Sequence, residues 1–415
     1  MSRWQWLLTR LTRQLWFRAT LIGALGIAAA GLAALTEHLL PWDLPTTIGA
    51  DAVDGILNII ASSMLAVTTF SLSVMTSAYS AATSNVTPRA IKLLIEDRLT
   101  QNVLSSFIGS FLFSIVGIVV LKTGAYGDSG RFVLFIVTIA VIALVVVSLL
   151  RWIDHLTRLG RVGETTERVE EATQRAIDWR CANPYLGGSP APADQTIPEG
   201  ALRLTADTVG YVQHVDMAAL AEQADQLDSD IHLLAAPGAF VYPDTPLAWI
   251  ASPHQSDKAC QALQCAREAF SIGKERSFDQ DPRFGLAVLS EIASRALSPA
   301  VNDPGTAIDV LGRQARVLCT WARDQQADQT PQFPRVWVTA LHTRDLFEDA
   351  FNPIARDGAS LLEVQMKLRK TLQALSQMGD AGFRQAAFEQ AERALARAEQ
   401  AMTQEADKQR LRELR

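Results

Sequence analysis

The side chains with the clearest chemical potential are the hydroxyl groups of one uncharged apolar segment. Residues 55–84 contain no charged side chain, yet they include eleven Ser and Thr residues. Several small side chains recur there at alternating spacings of four and three residues, which places them on one face of a helix. The hydroxyl stripe formed in this way consists of Ser62, Thr69, Ser73, Thr76, Ser80 and Thr83. Because hydroxyl oxygens can replace part of the hydration shell of an ion, the stripe predicts a water-filled path, with any gate near residues 79–83.

The hydroxyl stripe also has a purely structural interpretation. Small side chains allow neighbouring helices to pack closely, and Ser or Thr hydroxyls can donate to carbonyl oxygens one turn earlier in their own helix. The sequence leaves both interpretations open. They differ in what the stripe faces, which is the central axis of an oligomer in the first case and a neighbouring helix of the same chain in the second.

A second group of polar residues lies where one amphipathic helix is predicted to end and the next to begin. The group consists of Arg295, Ser298, Asn302, Asp303 and Thr306. Since a helix N-terminus can hold an anion, these residues predict a polar site at two helix ends. Helix capping is the alternative, because Asp303 directly precedes Pro304, a pattern typical of an N-cap followed by the first helical turn.

The cysteine and histidine residues predict no metal centre. Cys181, Cys260, Cys265 and Cys319 form no C-x-x-C pair, and the six His residues lack the spacing of a helical metal site. The sequence also contains no nucleophile elbow, P-loop or dinucleotide-binding fingerprint. We therefore expect no metal, no cofactor and no enzymatic activity.

Four apolar segments are expected to form the helices that position the hydroxyl stripe. They cover about residues 17–39, 55–80, 102–122 and 132–150. Each is close to the roughly 20 residues that a helix needs to cross the hydrocarbon core of a bilayer. The mean hydropathy of the whole chain is only +0.10, because a charged C-terminal part offsets these segments. The predicted fold class is mainly α: a four-helix transmembrane domain followed by a cytosolic α+β domain with a small β module and a helical bundle.

The short loops predict the orientation of the chain in the membrane. Basic residues precede the first segment, occur between the second and third, and follow the fourth. The loop 40–54 instead carries Asp43, Asp51 and Asp54 and no Lys or Arg. Because cytoplasmic loops are enriched in Lys and Arg, both termini are expected in the cytosol of a bacterium and the spans in its inner membrane. Tryptophans among the N-terminal arginines, including Trp6 and Trp16, are expected at the membrane interface.

The rest of the chain divides by composition. We predict a transmembrane domain at 1–153, a helical extension of the fourth span with a Pro- and Gly-rich linker at 154–200, and a small α+β module with a β-hairpin at 201–252. Residues 253–415 are predicted to be helical, with an amphipathic pair at about 335–378. Beyond His155 there are 28 basic and 36 acidic residues, so we expect an acidic surface and no nucleic-acid partner.

Three stretches carry a resemblance to a known family. They are SNVTPRAIKLLIEDRLTQNVLSSFIGSFLFSIVG, which includes Thr87, Pro88 and Arg89, then DPRFGLAVLSEIASRALSPAVNDPGTA, and finally DLFEDAFNPIARDGAS. The chain resembles a bacterial family of predicted membrane proteins of unknown function that has an N-terminal membrane domain and an SPAxNDPxTA signature. The resemblance implies a multi-pass inner-membrane protein and supplies neither an activity nor catalytic residues.

Two functional hypotheses follow from the sequence. The first is a homo-oligomeric ion channel or pore that the cytosolic domain regulates, in which Asp51 and Asp54 at the outer mouth favour cations. The second is a non-conducting membrane scaffold that recruits a cytosolic protein through residues 335–415. The expected partners are the lipid bilayer, further copies of the chain and, in the second hypothesis, that cytosolic protein.

Overall fold

A computed structural model describes residues 3–12, 14–39, 50–124, 128–192, 196–251, 257–324 and 330–414. Most of the acidic loop predicted at 40–54, including Asp43, lies outside the described residues. Within the described ranges the chain is mainly helical, and its strands all follow residue 187.

The elements are numbered in chain order. The helices in the described ranges are α1 (Arg3–Thr12), α2 (Leu15–Leu39), α3 (Ala50–Asn85), α4 (Pro88–Ile95), α5 (Arg98–Lys122), α6 (Asp128–Leu156), α7 (Val162–Ala182), α8 (Met217–Gln226), α9 (Asp257–Glu268), α10 (Pro282–Ala296), α11 (Pro304–Asp324), α12 (Thr343–Asp357), α13 (Leu362–Leu375), α14 (Ala381–Ala401) and α15 (Glu405–Glu413). The strands are β1 (Gly188–Pro190), β2 (Leu202–Thr205), β3 (Gly210–Val215), β4 (Ile231–Leu233), β5 (Phe240–Val241), β6 (Pro246–Ile250), β7 (Phe270–Gly273) and β8 (Phe333–Val338).

These elements form two compact units. The membrane unit consists of Leu7–Ser84 and Ile91–Glu164. The mixed unit consists of Thr165–Arg415 together with two short segments, Met1–Trp6 and Asn85–Ala90. Local contacts therefore assign the residues that directly follow α3 to the mixed unit.

Three helices of the membrane unit are long and apolar enough to cross a bilayer. They are Asp51–Ser84, Arg98–Lys122 and Gly130–Leu156, which correspond to the second, third and fourth predicted segments. In the first predicted segment the apolar stretch is shorter, Trp16–Leu32, although the helix α2 that contains it is longer. Among the described residues, the membrane unit thus has three helices that are both long and apolar enough to span a bilayer and a fourth helix, α2, with a shorter apolar stretch.

Glycines allow α2 and α5 to pack closely. A Cβ atom added at Gly26 would lie 2.8 Å from the carbonyl oxygen of Gly109. A Cβ atom added at Gly109 would lie 2.7 Å from Cγ2 of Ile22 and 3.2 Å from the carbonyl oxygen of the same residue. These distances leave no room for a side-chain carbon at either glycine. The backbones of α2 and α5 therefore pack closely at these two positions, as small residues allow between membrane helices.

A five-stranded sheet and a three-stranded sheet organise the first part of the mixed unit. The larger sheet has the order β1-β8-β4-β6-β2, in which β8 runs parallel to β1 and β4 while β6 runs antiparallel to β4 and β2. Helix α8 covers one face of this sheet with buried residues such as Leu220 and Ala224. Asp216 is the N-cap residue of α8, and its side chain accepts a hydrogen bond from the backbone N–H of Ala219.

The sheets extend beyond the module predicted at 201–252, because β1, β7 and β8 lie outside that range. Residues 333–338, of which the last four fall in the predicted amphipathic helix pair, form the strand β8. The predicted hairpin is also wrong, since β5 pairs with β3 and β6 pairs with β2 and β4. Asp244 has a positive φ of 68° in the turn that carries the chain from one sheet to the other.

The predicted continuous extension of the fourth span is interrupted. Helix α6 ends at Leu156 and α7 begins at Val162. Gly160, between them, has a φ of +79°, and a Cβ atom there would lie 2.9 Å from the carbonyl oxygen of Ala78. Because glycine has no Cβ atom, it tolerates both a left-handed backbone conformation and the close approach of another backbone segment.

A buried group of charges lies at the start of α10. Asp281 caps that helix, is 3% exposed, and accepts hydrogen bonds from Nε and Nη2 of Arg276 at 2.8 and 3.0 Å. Arg180 is also buried, and burial lowers the pKa of its guanidinium to about 10, although the negative charge of Asp281 opposes this shift. The Asp281 carboxylate therefore compensates the half-buried Arg276 and the buried Arg180.

Candidate functional site

The hydroxyl stripe lies on the exposed face of α3 within the membrane unit. All six of its residues, from Ser62 to Thr83, are exposed. The opposite face of α3 is buried and includes Leu57, Ile60 and Met64. Among the described residues of one chain, no neighbouring helix covers the stripe. The structural interpretation requires such a helix, so close packing within one chain does not explain the stripe.

Four of the six stripe hydroxyls donate hydrogen bonds within α3. Ser62 donates to the carbonyl oxygen of Asn58 at 2.9 Å, and Thr83 donates to that of Tyr79 at 2.7 Å. Thr69 and Thr76 make equivalent bonds one turn back along the helix. Because each hydroxyl oxygen keeps its lone pairs, the outward side of these groups can accept hydrogen bonds or contact a cation.

Other hydroxyls of the same segment have a structural role. Ser71 is fully buried, and its Oγ accepts a hydrogen bond from Nε1 of Trp152 on α6 at 2.9 Å. Thr68 is buried as well and donates to the carbonyl oxygen of Met64. Of the eleven hydroxyl residues of the segment, six form the exposed stripe, Ser77 and Ser84 are exposed outside it, and Ser63 is half-buried. The close-packing interpretation holds for the two buried ones, Thr68 and Ser71.

A buried polar cluster joins the end of α6 to the start of α5 in the membrane unit. The carboxylate of Asp97 caps α5, and its Oδ2 lies 3.1 Å from Nε2 of His155. Thr100 contributes a hydroxyl that donates to Asp97 at 2.6 Å and lies 2.9 Å from the same His155 nitrogen. No periodic pattern in the sequence identifies this cluster, and the only local signal is the N-cap pattern of Asp97 and Thr100.

The second predicted group divides into local pairs around a loop. Ser298 donates its hydroxyl to the carbonyl oxygen of Arg295 at 2.7 Å. Asp303 accepts from the backbone N–H of Thr306 at 3.1 Å and from its hydroxyl at 2.6 Å. The hydroxyl bond from Thr306 also holds the pKa of Asp303 below its usual value. Asn302 has a φ of +49° between the two pairs, so the described hydrogen bonds are those of helix ends and a turn.

Two of the stretches that carry the family resemblance meet in the mixed unit. The hydroxyl of Thr87 donates to Oε2 of Glu291 at 3.2 Å, and the guanidinium of Arg89 forms an ion pair with Oε1 of the same carboxylate. We call this arrangement the Glu291 contact. It brings together residues about 200 positions apart. No periodic pattern marks Glu291, which occurs as one polar residue on an amphipathic helix.

The N-terminal segment contributes a buried aromatic side chain to the mixed unit. Trp6 is 5% exposed, its ring stacks on His214 at a centroid distance of 5.3 Å, and its Nε1 donates to Oδ2 of Asp279 at 2.9 Å. The prediction that Trp6 lies at the membrane interface is therefore wrong, because its ring and N–H group are satisfied by protein. Trp16 is exposed, which agrees with the interfacial interpretation for that residue.

A polar groove of about 970 Å³ lies between α7 and α11. Glu170 crosses it and accepts hydrogen bonds from Arg313 and Arg316. Burial alone would raise the pKa of Glu170, but these two guanidinium groups outweigh burial and lower it. Burial raises the pKa of the Cys319 thiol in the same groove, so this thiol is a poor nucleophile at neutral pH. The groove therefore provides a charge network between two helices.

The chain is similar to uncharacterized mycobacterial proteins. Uncharacterized protein Rv1290c of Mycobacterium tuberculosis (strain ATCC 25618 / H37Rv) is 28% identical over 263 residues, which are 62% of this chain and 50% of that protein. Uncharacterized protein Mb1321c of Mycobacterium bovis (strain ATCC BAA-935 / AF2122/97) has the same identity and coverage. The chain thus spans about half the length of these curated relatives.

The family comparison covers more of the chain than the relatives do. No solved structure matches the sequence. The family model described as "Predicted membrane protein (DUF2254)" matches residues 12–374, which include the membrane unit almost entirely, the Glu291 contact and the loop that contains Asp303. With the three spanning-length helices, this match establishes that the chain belongs to the DUF2254 family of predicted membrane proteins.

Proposed function

We propose that the protein is a homo-oligomeric cation channel of the bacterial inner membrane, in which the hydroxyl stripe of α3 lines a water-filled path. The observation that carries the proposal is the exposure of all six stripe residues on the surface of a single chain. A surface that met only lipid tails would gain from larger apolar side chains, such as Ile59 and Phe70 beside the stripe. Association of several copies around the stripe gives these hydroxyls an aqueous environment.

The chemistry of the stripe favours cations over anions. The hydrogens of four of its six hydroxyls are directed to backbone carbonyl oxygens, which leaves oxygen lone pairs as the outward groups at Ser62, Thr69, Thr76 and Thr83. Oxygen ligands of this kind can substitute for the hydration water of a cation. Asp51, exposed at the first turn of α3, and Asp54, one turn later, place negative charge at the same end of the path.

The proposed topology has four spans and both termini in the cytosol. Helix α2 contains 25 residues, and at about 1.5 Å per residue it is long enough to cross a hydrocarbon core of about 30 Å. The excess of Lys and Arg before α2, between α3 and α5, and after α6 supports this orientation. Asp51 then lies at the outer face of the membrane and Thr83 at the cytosolic face.

The cytosolic end of α3 is the proposed position of the gate. The hydroxyl of Tyr79 donates to the carbonyl oxygen of Leu94 at 3.3 Å, which ties this end of α3 to the end of α4 within the membrane unit. The stripe residues Ser80 and Thr83 lie beside this tie. A small change in the position of the last turns of α3 therefore changes the width of the path at that level.

Leucine at two central stripe positions is expected to abolish conduction. Thr69→Leu or Ser73→Leu replaces a hydroxyl with a larger apolar side chain, which both narrows the path and favours its dewetting. We expect the single-channel conductance of purified protein in planar bilayers to fall at least about tenfold for either variant. Phe70→Leu is the matched control, because Phe70 is 63% exposed on the same helix but lies outside the stripe.

Two results would contradict the channel proposal. One is the absence of conductance in every cation solution tried, and the other is wild-type conductance for both leucine variants. A protein that conducts no ions but captures a cytosolic partner through residues 335–415 would instead be the membrane scaffold, and deletion of that segment would then abolish capture.

A further inference from the structure

The chain passes directly from the hydroxyl stripe to the Glu291 contact. Helix α3 ends at Asn85, and the next residues, Val86 and Thr87, are buried in a segment that belongs to the mixed unit. Ala90, at the end of the same segment, is buried as well. The position of the last turn of α3 is therefore constrained by what holds residues 86–90.

Glu291 is well placed to hold that segment. Its two carboxylate oxygens accept from two different side chains, Oε2 from Thr87 and Oε1 from Arg89. Glu291 itself is carried by α10, which is anchored in the mixed unit by the buried side chains of Val288, Leu289 and Ile292. A rigid helix thus presents one carboxylate that binds both side chains of a short connection.

The Glu291 contact is also accessible enough to be reversible. The side chains of Arg89 and Glu291 are 58% and 33% exposed. An ion pair of this exposure contributes modestly to stability and is weakened by salt, whereas the charge-assisted hydrogen bond from Thr87 adds directional preference. Breaking the contact is therefore expected to release the segment without unfolding α10.

We propose that Glu291 regulates the channel by holding the segment after α3 in the resting position, so that loss of the Glu291 contact raises the open probability. This inference rests on the proposed channel function and deepens it. Glu291 acts as a positioning residue, since it reaches the path only through residues 86–90 and the covalent continuation into α3. Neutralising it should change gating while leaving the single-channel conductance, which the stripe determines, unchanged.

Two readouts on the full-length protein in lipid nanodiscs and planar bilayers test the inference. In Glu291→Gln, hydrogen–deuterium exchange at the backbone amides of Arg89 and Ala90 is expected to become about three- to tenfold faster. The open probability should rise by a similar factor. The charge-exchanged double variant Arg89→Glu with Glu291→Arg should restore a large part of both properties, because it rebuilds the ion pair with reversed polarity.

Glu348→Gln is the matched control. Glu348 is 35% exposed and pairs with Arg393 at 2.7 Å, so the substitution removes a comparable ion pair elsewhere in the mixed unit. Neither exchange at residues 86–90 nor gating should change in this variant. A change of equal size in both variants would show a general loss of stability and overturn the inference.

The two readouts separate the regulatory inference from the channel proposal. Unchanged exchange at Arg89 and Ala90 in Glu291→Gln overturns the inference whatever the conductance. Faster exchange with wild-type open probability overturns it as well, because the segment then moves without consequence for the gate. If exchange rises but no preparation conducts, the channel proposal fails and the regulatory role fails with it, while the Glu291 contact stands as a structural tie.

Discussion

Gly26→Leu is expected to destabilise the membrane unit severely. The first carbon of the new side chain would lie within 2.8 Å of the carbonyl oxygen of Gly109, a backbone atom that cannot rotate away. Separation of α2 from α5 is then required, and overpacking of this kind costs about 1–3 kcal/mol or more. We expect the thermal midpoint of the detergent-solubilised protein, measured by loss of the monodisperse fraction, to fall by roughly 10 °C.

Gly31 provides the control on the same helix. A Cβ atom at Gly31 meets no other atom within 4 Å, so Gly31→Leu should change the midpoint little. Gly23→Leu should lie between the two, because the atom nearest to its added Cβ is the flexible Cδ1 of Leu112 at 2.8 Å. Equal losses of stability at Gly26 and Gly31 would show that helix propensity, and not the approach of α2 to α5, determines the effect.

Asp281→Asn is expected to have the largest effect in the mixed unit. Asparagine has nearly the shape of aspartate and is itself a good N-cap, so the substitution removes the charge and keeps the cap. Arg276 then loses its carboxylate partner, and the buried guanidinium of Arg180 loses its nearby negative charge. Removal of one partner from a buried ion pair costs about 3–5 kcal/mol.

The measurement is the unfolding of the mixed unit in the full-length protein, followed by tryptophan fluorescence on heating. We expect the midpoint of Asp281→Asn to be lower by roughly 10 °C. Asp380→Asn serves as the control, because Asp380 caps α14 in the same way but is exposed. Similar midpoints for the two variants would contradict the role assigned to the buried charges.

Local patterns in the sequence were sufficient to predict many of the helices and strands. Apolar runs predicted the helices α3, α5 and α6, although the structure extends α3 to Ala50–Asn85. Composition and turn residues predicted a small α+β module at 201–252, and the strand β3 and the helix α8 lie within that range. These features depend on neighbours in the chain, so a single sequence contains the information that determines them.

Features that depend on distant residues were missed. Strand β8 joins the sheet only because β1 and β4 supply partners more than 100 positions earlier, and the segment Phe333–Val338 alone does not reveal them. The same limit applies to Glu291 and Trp6. In each case an ordinary residue type acquires its role from a partner that no local periodicity identifies.

The hydroxyl stripe combines a feature that the local sequence determines with a feature that depends on more distant partners. Helical spacing predicted that Ser62 and Thr83 share a face, and the structure places both on the exposed side of α3. What covers that side in the membrane depends on other copies of the chain, which the fold of one chain does not determine. We propose that water, and not lipid, covers it.

Cysteine accessibility tests this claim most directly. Single cysteines at the six stripe positions and at the flanking Ile59 and Phe70 would be introduced after replacement of the four native cysteines, and treated in liposomes with a charged, water-soluble thiol reagent. Reaction requires the thiolate, which forms in water and not in hydrocarbon. Our account predicts modification at the stripe positions and protection at Ile59 and Phe70. Protection of the central positions Thr69, Ser73 and Thr76 would contradict it.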